Sequence, residues 1–153
     1  MTIESQRLGA LLAVVGLAGA SLGHVRLAQA GTSVGTLRID VVGFTSARGH
    51  GEVKLFRKGE NLHGKPFRHV RATPSAGKSS FVFSELPYGN YAVVVFHDEN
   101  DNGAIDHNIL GLPAEALGFS GGFSLGLFSG MPTFEKLKFA FAVPARTLQI
   151  RVK

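Results

Sequence analysis

Alternation is the feature that most limits what this chain can fold into. Leu37, Ile39 and Val41 alternate with Arg38 and Asp40. Leu137, Phe139, Phe141 and Val143 alternate with Lys136, Lys138, Ala140 and Ala142, and Leu148, Ile150 and Val152 with Gln149, Arg151 and Lys153. A period of two sends successive side chains to opposite faces, so each stretch reads as a half-buried strand with one wet face. Glu52 to Arg57 and Ser79 to Leu86 are less regular strand candidates. The run from Tyr91 to Phe96 (YAVVVF) is continuously apolar and predicts a central strand buried on both faces. Beyond the first thirty residues no stretch carries a 3.6-residue period. Breaks at Ser46–Gly49, Leu86–Gly89 and Pro144 separate the strands. The pattern predicts an all-β fold, a single antiparallel β-sandwich of about seven strands. The short link at Pro144 predicts that the last two strands form a hairpin. Two connections are long, a basic and polar one over 58–78 and a Gly-rich one over 101–133. Such loops in a compact domain are usually functional or ordered by something.

The first thirty residues read differently. Arg7 closes a polar n-region, Leu8 to Gly23 carry no charge, and the segment ends Ala28-Gln29-Ala30. This is the pattern of a secretory signal peptide cleaved after Ala30. A retained membrane anchor is the other reading, but the apolar run is short against the roughly 20 residues of a span. The expected organisation is a signal over 1–30 and one domain over 31–153, placed in the periplasm or secreted. No second apolar stretch is long enough to cross a bilayer. The chain has no Cys, which excludes a lipoprotein anchor, a disulfide and a thiol nucleophile. A small exported domain without disulfides needs another staple or a good core. The precursor's net charge of +5 falls to +4 when Arg7, Arg26 and Glu4 leave with the signal. The remaining Lys and Arg are spread out, so nucleic acid is not an expected partner; a protein or an envelope component is.

The segment richest in chemistry is Asp98-Glu99-Asn100-Asp101-Asn102-Gly103-Ala104-Ile105-Asp106. Oxygen side chains fall at positions 1, 3, 5 and 9, with Gly at 6 and an aliphatic residue at 8, as in the first nine positions of an EF-hand-type calcium loop. Calcium takes six to eight oxygens at about 2.3–2.6 Å, and alternate residues of a tight loop can turn theirs inward. The expected metal ligands are Asp98, Asn100, Asn102, the Ala104 carbonyl and Asp106. Position 12 is Ile109, so the bidentate carboxylate is missing; Glu115 can replace it if the chain folds back. The small number of carboxylates predicts weak binding, with a Kd of about 10⁻⁴–10⁻³ M. A solvated Asn-Gly turn and a site for another metal are the competing readings.

The run from Leu86 to Asp106, followed by Leu110-Gly111-Leu112-Pro113-Ala114-Glu115, Gly118-Phe119-Ser120 and Pro132-Thr133-Phe134-Glu135, resembles the DUF2141 family of exported bacterial proteins. The similarity covers about Leu37 to Val152. It brings little biochemistry, because the family's function is undefined. The stretch Gly121 to Met131 is more apolar than the family leads one to expect. Locally, the strand and loop are also similar to prealbumin-like and Cna-B-type modules, a likeness that implies a calcium-bearing sandwich rather than a reaction. Asn102 stands where those loops usually carry Asp. The sandwich is thus expected to be prealbumin-like or immunoglobulin-like.

Three further features have candidate roles. His97, Asp98 and His107 flank the loop and make a transition-metal site or a hydrolase conceivable. No G-x-S-x-G elbow is present, so the expected protein is not an enzyme. His97 is expected in a hydrogen-bond network and His107 in solvent. The loop over 118–134 is dense in apolar residues, and Phe119, Phe123 and Phe128 are its candidate contacts for a small apolar ligand or lipid. The alternative is a loop folded over one end of the sandwich. The basic residues Arg57, Lys58, Lys65, Arg68, Arg71 and Lys78 read as a solvated strand face and loop rather than a surface for anionic polymers. The leading expectation is a non-enzymatic exported accessory module stabilised by calcium.

Overall fold

The computed structural model describes residues 32–75, 77–126 and 128–153. The expected signal peptide and its cleavage site lie outside the described residues. The elements in chain order are β1 (Val34–Val42), β2 (His50–Arg57), β3 (Arg68–Ala72), β4 (Lys78–Pro87), β5 (Gly89–Asp98), β6 (Leu117–Phe119), α1 (Phe134–Leu137), β7 (Phe139–Phe141) and β8 (Ala145–Arg151). They build two sheets. The first is three-stranded in the order β4-β1-β8, and the second is five-stranded in the order β3-β2-β5-β6, with β7 also on β5. The all-β sandwich expected from alternation is what the chain forms.

Alternation explains the core. Leu37, Ile39 and Val41 of β1 point inward and meet Val53, Leu55, Val93 and Val95 of the second sheet, with Phe81, Phe83 and Phe141 filling between them. Each such side chain contributes about 1.5–3 kcal/mol when fully buried. β5 is central: it pairs with β2 along its length, with β6 at Val94–Phe96 and with β7 at Gly89–Tyr91. Its residues Tyr91 to Asp98 are all buried, which the continuous apolar run predicts for Tyr91 to Phe96 and not for His97 and Asp98. The outer face is covered too, by a second cluster of Phe56, Ala92, Val94, Phe119 and Leu137.

Four expectations need correction. The stretch Leu137–Val143 is not one strand. Thr133 caps a single helical turn by accepting from the Lys136 N–H, Leu137 is buried at its end, and only Phe139–Phe141 is extended. The last two strands form no hairpin, because β7 joins the second sheet and β8 the first. The chain crosses between sheets at Val143-Pro144, against Gly35; a Cβ on Gly35 would lie 2.6 Å from the Val143 carbonyl oxygen. The sandwich is not wholly antiparallel, since β8 runs parallel to β1. The connection 58–78 contains a strand, β3, whose single large apolar side chain is Val70. An edge strand needs no more, and charges there discourage further pairing.

Candidate functional site

The loop after β5 is held from within. Gly103 and Asp101 adopt positive φ values of 75° and 62°, which reverses the chain. The Asp98 carboxylate, with no exposed surface, accepts from the N–H of Asn102 at 3.1 Å and of Gly103 at 2.8 Å. The side-chain oxygens of Asn100 and Asn102 accept from the N–H two residues on, at 3.1 and 2.8 Å. These are Asx turns. The amide nitrogens of the same two residues donate to Asp106, at 2.6 and 2.8 Å. Asp98, Asn100, Asn102 and Asp106 are therefore brought together, each within hydrogen-bond reach of another loop member.

The chain also folds back. His107 bridges Pro113, the Ala114 N–H donates to the Asp106 carbonyl at 2.8 Å, and the Asp106 N–H points at the Glu115 carboxylate at 3.4 Å. Burial, followed by the negative fields of Asp98 and Asp106, holds the Glu115 carboxyl above its ordinary value. Glu115 thus returns to the Asp106 backbone despite being six residues past position 12, and the two residues line one cleft. Among the described residues no three His, Asp or Glu side chains group closely enough to hold a metal ion by themselves. A cation here would need amide and carbonyl oxygens as well, which calcium accepts.

A charge network that the sequence reading missed lies against the loop, on the outer face of the second sheet. The Glu52 carboxylate, 3% exposed, is bonded to His69 Nε2 and to Arg71 Nε, the latter at 2.8 Å. Arg71 reaches on to Asp101 at 2.8 Å and lies 4.0 Å from Asp98. His50 Nδ1 bonds the same Asp101 oxygen. The bond from His50, then the one from Arg71, pulls the Asp101 carboxyl below its usual value. Opposite parity along β5 sends His97 to the other face. There its Nε2 meets the Arg48 carbonyl at 2.9 Å, and its ring packs edge-on to Phe44. His97 and Asp98 are consequently not brought together, while His107 is exposed. The shared parity of His50 and Glu52, and of His69 and Arg71, was the available signal for the network.

The three candidate ligand-contact phenylalanines separate. Phe119 is buried in the outer cluster, Phe123 packs edge-on against it with centroids 5.3 Å apart, and Phe128 is fully exposed. The basic segment is largely engaged. Arg57 pairs with Glu60, Lys78 with Asp40, and Arg68 donates to the carbonyls of Ser84 and Glu85.

Fold and loop together define a two-sheet β-sandwich with an Asx-rich reversal at the end of its central strand. The chain belongs to the DUF2141 family, described as "Uncharacterized protein conserved in bacteria", which it matches over residues 39–149. No curated protein and no solved structure matches it. Among the described residues no helix is long and apolar enough to cross a membrane.

Proposed function

We propose that the protein is an exported, non-enzymatic accessory module whose 98–106 loop binds calcium. The observation that carries this reading is the convergence of Asp98, Asn100, Asn102 and Asp106 in one hydrogen-bonded loop, with Glu115 returning to the Asp106 N–H. A shift of the Glu115 side chain toward the loop would supply a third carboxylate where position 12 lacks one. Repulsion among these carboxylates is relieved by a divalent cation. Asn100 and Asn102 present amide nitrogens to Asp106. Binding requires these two amides to turn so that their oxygens face the ion. The two halves of the reading fit each other, because weak sites suffice outside the cytoplasm, where calcium is plentiful.

Thermal melts with about 1 mM calcium and with a chelator test the proposal. A Kd of about 0.1 mM adds about 1.4 kcal/mol of stability, which raises Tm by about 5 °C for a domain of this size. Identical melting temperatures, with no response to magnesium exchange, would remove the ion from the account.

A further inference from the structure

The outer face of the second sheet changes character from one row to the next. In one row Glu52 is matched by Arg71. The next row runs His69, Lys54, Val94, Phe119 across β3, β2, β5 and β6. Lys54 lies in this row with its ammonium 4.6 Å from the Phe96 ring centroid. Among the described residues it takes part in no ion pair. A groove of about 480 Å³ lies over this row, within the range of about 300–1,000 Å³ found for small-ligand sites. Val94, Leu117 and Phe119 line it from the sheet, Ile105 and Leu112 from the loop after β5, and Met131 from the Gly-rich connection. Leu112 and Met131 are 57% and 64% exposed, so the groove keeps apolar walls without a cover. Its charged or titratable lining consists of Lys54, His63 and His107, with no Asp or Glu.

That combination selects a ligand. A neutral apolar molecule would bury Lys54 without a counter-charge, at a desolvation cost. A cationic amphiphile would add repulsion. An anionic amphiphile meets both demands at once. We propose that the groove binds the acyl chain of a long-chain carboxylate, with Lys54 Nζ taking the carboxylate. The groove adjoins the calcium loop, since Gly103, Ala104 and Ile105 line it, but none of the carboxylates assigned to the ion does, so titration in chelator reads this proposal independently of the ion.

Calorimetric titration of the purified protein in chelator tests it, with dodecanoate, dodecanol and dodecyltrimethylammonium as separate probes below their micellar concentrations. Dodecanoate is expected to bind tightest and at one site. Lys54→Met should weaken dodecanoate at least tenfold and leave dodecanol within about twofold. Met131→Trp, a change at an exposed wall, should weaken both, and melts of each variant establish that it folds; Lys54→Gln serves if Lys54→Met does not. Absence of dodecanoate binding, equal binding of the cationic probe, or undiminished dodecanoate binding by the Lys54 variant overturns the proposal.

Discussion

Replacing Arg71 by Met removes a guanidinium that serves two carboxylate groups, and its two effects should have opposite signs. On the stability side, Arg71 Nε holds the buried Glu52 carboxylate at 2.8 Å. Breaking a buried pair by deleting one partner costs about 3–5 kcal/mol. His69 remains on Glu52 and Arg71 is itself 41% exposed, which lowers the expectation to about 2 kcal/mol. That is a Tm drop of about 6–10 °C. On the binding side, the guanidinium lies 4.0 Å from Asp98 Oδ2. An ion coordinated by that oxygen would sit at most about 6.6 Å from it, adding about 2.6 Å of coordination distance. Repulsion between +1 and +2 at that separation is about 1 kcal/mol in a water-like dielectric, and salt reduces it. Calcium should therefore bind the variant about three- to sevenfold more tightly. The assay is a melt in chelator plus a calcium titration at pH 7.5, both at fixed salt. A less stable variant with unchanged or weaker calcium affinity would refute the reasoning, because Arg71 would then not face the ion.

Other outcomes follow from the same geometry. Hydrogen bonds from Ser80 and Arg38 hold the Asp40 carboxyl at about 2. Its contribution is therefore present above pH 3.8 and lost as pH falls through about 2. Asp40→Asn should remove about 1 kcal/mol or less at neutral pH and flatten stability between pH 4 and 2 in acid titrations followed by circular dichroism. Gly49 has φ +62° and a Cβ there would lie 1.9 Å from the Asp98 carbonyl oxygen, so Gly49→Ala should cost at least about 2 kcal/mol in urea unfolding and weaken calcium binding. Phe81 is 1% exposed, so Phe81→Ala should cost about 3–5 kcal/mol. Mass spectrometry of the protein recovered from bacteria expressing it should find Gly31 as the first residue; an intact Met1 terminus on the envelope fraction would contradict signal cleavage.

The inward residues of β1 and the buried run of β5 were legible because alternation and continuous apolarity each have one simple geometric meaning. Leu137 was misread because period two continues by accident into a helical turn. What sets that turn is Thr133, a cap four residues earlier, together with a pocket for Leu137 on the far face of the sheet. The destination of β8 was hidden for a different reason. Sequence proximity favoured a hairpin, whereas the bare backbone of Gly35 lets Val143-Pro144 pass to the other sheet. β3 was missed because its outward residues, His69 and Arg71, are charged or polar for partners on β2 and in the loop, not for solvent. At the site, oxygen spacing pointed to Asp98, Asn100, Asn102 and Asp106, which do converge. Arg71 and Lys54 come from distant segments; strand parity gives the face each side chain takes, but no local pattern gives the pairing of β2 with β3 and β5 that brings them to the loop.

The most direct test of the central claim is a calorimetric calcium titration of the wild type beside Asp106→Asn and Glu115→Gln. One site per chain with a Kd of about 10⁻⁴–10⁻³ M, weakened at least about tenfold in each variant, is the predicted result. Absence of binding, or binding that survives both substitutions undiminished, would contradict it.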